Sequence, residues 1–103
     1  MISLKKTLNE NPSKQAKVFI VTMKRFFDKH KMRYKLLDAN GDSPSFMFYD
    51  KQWDSDLYVT LTRQGEYELL DDVGKVRVSK SNLNNFIKAL KAPNILKLLS
   101  ANY

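Results

Sequence analysis

The sequence predicts an α+β fold, a two-layer sandwich with an N-terminal helix, a four- to five-stranded antiparallel meander sheet and two C-terminal helices. Three observations predict it. Apolar residues recur at helical spacing between about residues 14 and 30. Short runs then alternate apolar and polar residues from Met32 to Val78, the period of half-buried strands. Helical spacing returns from Leu83 onward. Helices whose apolar stripes cover one face of an antiparallel sheet are a stable way to combine such elements, and they leave the other sheet face open. A chain of 103 residues with 43% hydrophobic content can bury one core without a metal or disulfide staple. Residues 1–103 are therefore read as a single domain, with 1–12 as a flexible basic arm.

The first helix is announced by Asn11-Pro12-Ser13, a stop followed by a capping hydroxyl. Ala16, Phe19, Ile20, Met23, Phe26, Phe27 and His30 fall on one side of a wheel of about 100° per residue. The opposite side carries Lys14, Lys17, Val21, Lys24, Arg25 and Asp28. The strands are expected around Met32-Tyr34-Leu36, Phe46 and Phe48, Leu57-Val59-Leu61, Tyr67 and Leu69, and Val76 and Val78. Asn40–Pro44, Asp50–Asp56, Gln64-Gly65 and Asp71–Gly74 separate them and have turn composition.

Register follows from burial. A two-residue Asn40-Gly41 turn puts Phe46 and Phe48 on the wrong face, whereas a three-residue Asn40–Asp42 loop pairs Leu36 with Phe46 and Tyr34 with Phe48. The same reasoning makes Arg63-Gln64-Gly65 a three-residue loop with Gly65 left-handed, pairing Leu61 with Tyr67 and Val59 with Leu69. Ser79 or Ser81 is the expected cap of a helix bearing Leu83, Phe86, Ile87 and Leu90. Ala92-Pro93 ends it, and a short last helix carries Ile95, Leu98 and Leu99.

Several chemistries are excluded or unsupported. The chain has no Cys, so disulfides, thiolate catalysis and Cys-based zinc sites are ruled out. No stretch reaches the roughly 18–20 apolar residues of a membrane span. MISLKKTLNENPSKQ has no apolar core after its lysines and does not read as a signal peptide. The expectation is a cytoplasmic protein, in a host cell if viral, with no membrane partner. Gly41, Gly65 and Gly74 are far apart and form no phosphate loop. His30, the one histidine, lies on the apolar side near a helix C-terminus, where it packs and suits the helix dipole. Asp50, Asp54 and Asp56, with Asp71-Asp72, offer clustered oxygens, but solvated turns use the same residues and EF-hand spacing is not met. No catalytic residue, metal ligand or cofactor is assigned.

The charges are sorted. Residues 1–35 hold ten Lys/Arg against Glu10 and Asp28; residues 36–72 hold nine Asp/Glu against Lys51 and Arg63; residues 73–103 hold six Lys/Arg and no acid. The net charge of +7 hides this basic–acidic–basic order, which concerns partners rather than fold.

Two surfaces emerge as binding candidates. One is the outer face of the first helix, with Lys14, Lys17, Lys24 and Arg25, and Lys31 at its edge. A lysine-rich helix face is ordinarily just solvated, yet Val18 and Val21 fall on or beside it, where solvation alone does not call for them. The other is the open sheet face, bearing Arg33, Lys35, Met47, Tyr49, Tyr58, Thr60 and Arg77, with Trp53 in the loop at its edge. Aromatics interleaved with cations suit single-stranded nucleic acid, whose bases stack while its phosphates meet the charges. Cross-strand packing uses the same residue types.

The order of elements approaches that of the double-stranded RNA-binding domain, but with at least one extra strand and without a basic start to the second long helix. The aromatic strand signature of the RNA-recognition motif is missing, and no helix-turn-helix pair is visible. The sequence thus points to a non-enzymatic protein that engages DNA or RNA through basic residues. Lys24, Arg25, Lys31, Arg33 and Lys35 are the foremost contacts, with Tyr49, Tyr58 and Trp53 as stacking candidates. The alternative is a protein-binding regulator or inhibitor, of the phage accessory-factor type, docking through its charged faces. A metal-dependent hydrolase built on Asp50, Asp54, Asp56 and Asp71 has the least support.

Overall fold

A computed structural model describes residues 13–50 and 55–100. Helix α1 spans Lys14–Lys29, and Ser13 caps it by accepting the Ala16 N–H on its hydroxyl at 3.1 Å. The expected arm at 1–12 lies outside the described residues. At its other end α1 closes in a Schellman motif: the Met32 N–H donates to the Phe27 carbonyl at 2.9 Å and the Lys31 N–H to the Asp28 carbonyl at 3.0 Å. Lys31 takes the left-handed conformation this needs, with φ 57°. Met32 and Phe27, both buried, join the same apolar cluster beneath the turn.

Five strands follow: β1 Lys35–Leu37, β2 Ser45–Asp50, β3 Ser55–Leu61, β4 Tyr67–Leu70 and β5 Val76–Lys80. They form one antiparallel sheet in sequential order. Burial of one face sets the register as the sequence predicts: Leu36 pairs with Phe46, Phe46 with Val59, Val59 with Leu69 and Leu61 with Tyr67. The Arg63–Gly65 loop also matches. Gly65 has φ 85°, the Gly65 N–H donates to the Thr62 carbonyl at 3.0 Å, and the Thr62 N–H closes on the Glu66 carbonyl at 2.8 Å.

Three details of the sheet differ from expectation. The first strand begins at Lys35, so Met32 and Tyr34 precede it and the expected pair of Tyr34 with Phe48 is not part of the ladder. Pairing of β1 with β2 stops at Leu37 and Ser45, so residues 38–44 all lie in the connection. Asp38 turns left-handed there, with φ 54°, and leads the chain out of the ladder. In β5, Val78 packs on the core but Val76 is 45% exposed. The register shifts between Leu69 and Leu70, placing Val76 rather than Arg77 opposite Leu70, and this irregularity breaks the alternation on which the inward placement of Val76 rested.

Helix α2 (Leu83–Leu90) is capped by Asn82, whose side-chain oxygen accepts the Asn85 N–H at 3.1 Å. Neither Ser79 nor Ser81 holds the cap: Ser79 is still in β5. Helix α3 (Pro93–Ser100) opens on Pro93, whose missing N–H costs nothing at a first helical position. The Tyr67 ring packs on Phe19 of α1 at 5.7 Å and on Phe86 of α2 at 5.9 Å. Both helices therefore lie on the same face of the sheet. Leu99 of α3 is buried in the same cluster. Gln15 ties the helical layer to the sheet by donating to the Gly65 carbonyl at 2.9 Å and the Tyr67 hydroxyl at 3.1 Å. The result is the two-layer α+β sandwich, with every described helix on one side.

Candidate nucleic-acid interface

The helical layer faces solvent with its cations. Phe19, Met23, Phe26 and Phe27 point α1 at the sheet, and this forces Lys14, Lys17, Lys24, Arg25 and Lys29 outward, where all are exposed. None of the five pairs with an acid among the described residues. Asp28 is the one acid on α1, and its carboxylate accepts the Tyr34 hydroxyl at 3.1 Å. Burial, then this bond, then the carboxylate charge raise the Tyr34 pKa above its ordinary 10.0. On the same side of the sheet α2 and α3 add Lys88 and Lys97, with Lys91 between them, all exposed, and no acid.

The layers thus divide the charge. The three helices and Lys91 hold eight cations and one acid, whereas the described residues from Lys31 to Ser81 hold seven cations and eight acids. The sequence alone does not single out Lys29, Lys88, Lys91 and Lys97. Their signal is present in the acid-free stretch 73–103, but only the fold shows that it joins the face of α1.

The open sheet face is different. Lys35, Met47, Tyr58 and Leu70 form one cross-strand row, since Lys35 pairs with Met47, Met47 with Tyr58 and Tyr58 with Leu70. Tyr49 and Tyr58 are half-buried on this face. Tyr49 stands opposite Asp56, and Thr60 opposite Glu68, so carboxylates border the row on both sides. The cations expected here are few. Lys35 is exposed at the β1 end, and the Nε of Arg77 lies 3.7 Å from an oxygen of Asp71. Arg33 is exposed in the link between α1 and β1, close in sequence to Lys31 at the helix end. Trp53 lies outside the described residues.

The sequence-chosen residues therefore split into two groups on opposite sides of the molecule. Lys14, Lys17, Lys24 and Arg25 belong to the helical side, and Lys35, Tyr49 and Tyr58 to the open sheet face. No single flat ligand touches both.

The remaining polar features have local explanations. His30 caps α1 and packs its ring 4.7 Å from Phe26. Asp71 builds the β4–β5 turn by accepting the N–H groups of Val73 and Lys75 at 3.1 and 2.8 Å. Among the described residues no three His, Cys, Asp or Glu stand together as metal ligands; Asp54 lies outside them. A cavity of about 530 Å³ between the β1–β2 and β3–β4 connections is lined by Asp38, Gly41, Asp42, Ser43 and Arg63. Among the described residues no helix is long and apolar enough to cross a membrane. Set against known protein families, curated protein sequences and solved structures, the chain has no match in any of the three.

Proposed function

We propose that this chain is a non-enzymatic binding protein that engages nucleic acid through the outward side of its helical layer. The observation that carries the reading is the gathering there of cations from both ends of the sequence, with Asp28 as the lone acid. Unpaired cations in such density repel one another, and a polyphosphate relieves that repulsion while releasing its own counterions. The contacts are Lys14, Lys17, Lys24 and Arg25, extended by Lys29, Lys88, Lys91 and Lys97, with Lys31 and Arg33 at the edge.

Fluorescence anisotropy with single- and double-stranded DNA and RNA tests this. Affinity should fall steeply between about 50 and 200 mM salt. The pair Lys24→Ala/Arg25→Ala should weaken binding to all sequences alike and reduce the salt slope by about one for each phosphate no longer neutralised. Failure to bind any of the four polymers at about 50 mM salt ends the proposal.

A protein partner on the other side is the second reading. It is favoured by the Met47–Tyr58–Leu70 row, half-buried and bordered by Asp56 and Glu68. Such a face repels phosphate and suits a cationic, partly apolar surface. Asp56→Lys/Glu68→Lys would then abolish partner binding while leaving nucleic-acid binding in place.

A further inference from the structure

Simple phosphate binding leaves two residues of α1 without a use. Val18 and Val21 are 46% and 52% exposed, in the middle of the cationic face. A solvated or phosphate-binding helix gains nothing from valine there, since valine is a poorer helix former than alanine or lysine. Their placement is regular. Lys14, Val18, Val21 and Arg25 follow the spacing i, i+4, i+7, i+11 and form one ridge along the helix, about 16 Å long at 1.5 Å per residue. Lys17 and Lys24 run beside the ridge on one flank, which Asp28, hydrogen-bonded to the Tyr34 hydroxyl, closes at its C-terminal end, and Lys29 lies on the other. An apolar ridge between cationic flanks matches a surface that is apolar in its floor and anionic along its walls.

The major groove of B-form DNA has that arrangement. It is about 12 Å wide, admits one α-helix, is walled by phosphates, and offers one apolar group in its floor, the thymine 5-methyl. The A-form major groove of duplex RNA is too narrow to admit the helix. No aromatic side chain of α1 is available for stacking unpaired bases, because Phe19, Phe26 and Phe27 are all buried. We propose that α1 enters the major groove of B-form DNA with Val18 and Val21 against thymine methyl groups and its flanking lysines on the phosphates. This rests on the nucleic-acid reading above and narrows it to duplex DNA with a preference for thymine-bearing steps.

The test is a two-by-two cycle between protein and DNA methyl groups. The wild-type chain and Val18→Ala/Val21→Ala are titrated with an A·T-rich duplex and with the same duplex carrying deoxyuridine in place of thymine. Both valines are exposed and alanine favours the helix, so the variant should keep its circular-dichroism spectrum and melting point. Charge is unchanged, so its salt slope should match the wild type. The wild type should bind the deoxyuridine duplex roughly four- to fifteen-fold more weakly, as expected when one methyl group, or one at each valine, is no longer buried. The variant should bind both duplexes with equal, weakened affinity, the sign that protein and DNA methyls act on each other. Duplex RNA of matching sequence should bind more weakly than either.

Equal wild-type affinity for thymine and deoxyuridine duplexes, or equal loss in the variant for both, overturns the groove assignment and leaves the charge-based reading standing. Failure of the wild type to bind any duplex or single strand removes both.

Discussion

Truncating Phe27 to alanine tests the core on which both layers depend. Phe27 is fully buried, and its ring lies 4.7 Å from that of Phe48, 5.1 Å from Phe46, and 5.6 Å from Phe26 and Tyr34. These walls come from α1, from the segment before β1 and from β2, so no single element can move in to fill the void. Phe→Ala in a core costs roughly 3–5 kcal/mol, the larger values where the site does not collapse. Ring–ring packing worth about 0.5–1.5 kcal/mol beyond its area also places this site at the upper end. The expected loss is therefore about 4–5 kcal/mol, against roughly 5–15 kcal/mol for a whole domain of this size. With a urea slope of about 1–3 kcal/mol per molar, the midpoint should fall by roughly 1.3–5 M, and a marginal domain would be unfolded in water. Urea titration followed by far-UV circular dichroism measures it, with Val21→Ala as the surface control, expected within about 0.5 kcal/mol of the wild type. A loss below about 1.5 kcal/mol for Phe27→Ala is incompatible with a fully enclosed ring and would refute the packing described.

Two further changes probe the end of α1. Lys31 has φ 57°, where a Cβ costs about 1 kcal/mol that glycine avoids, so Lys31→Gly should stabilise the fold by about 0.5 kcal/mol after its greater unfolded-state entropy is counted; a lower melting temperature by calorimetry would contradict the Schellman turn. Tyr34 has a folded-state pKa above its unfolded 10.0, raised by burial and by the Asp28 carboxylate. Its contribution to stability is thus fully present below about pH 10 and is lost as pH rises through the raised folded value. Relative to Tyr34→Phe, wild-type stability by denaturant titration should hold constant from about pH 7 to 9 and decline faster above pH 10, and parallel curves throughout would rule out the shift.

Much of this fold is legible in the sequence because burial leaves few alternatives. Phe46 and Phe48 can face the core in only one register against Leu36, and Gly65 can end a three-residue loop without strain. The α1 stripe is legible for the same reason, since a helix with Phe19, Met23, Phe26 and Phe27 on one side has one face to hide. What escapes is local and degenerate. The irregularity at Val76 arises in a five-residue edge strand, where no buried alternation survives to mark it. Asn82 displaces two serines as cap because the ladder keeps Ser79 in β5, a tertiary effect that cap preferences do not contain.

The candidate site is legible in charge but not in place. A basic–acidic–basic order along the chain has no fixed meaning in space. It acquires one here because the sheet is a sequential meander and the helices before and after it return to the same face. Tyr67, packed against both Phe19 and Phe86, marks that return. The helix-borne cations of both basic stretches are thereby laid over one layer, while Lys75, Arg77 and Lys80 stay with the acids of the other layer, which is close to neutral. Had the last helices crossed to the opposite face, Lys88, Lys91 and Lys97 would stand beside the carboxylates of the open sheet face, and α1 alone would be left as a basic surface. The polarity in turn separates the two mechanisms that the sequence allows to coexist. A stacking platform needs aromatics and cations on one surface, whereas Tyr49 and Tyr58 share theirs with Asp56 and Glu68, and the acid-poor cluster of cations lies behind the sheet. A charge-driven helical face needs only what α1, α2 and α3 already present, which is why the helices rather than the sheet are the side proposed for nucleic acid.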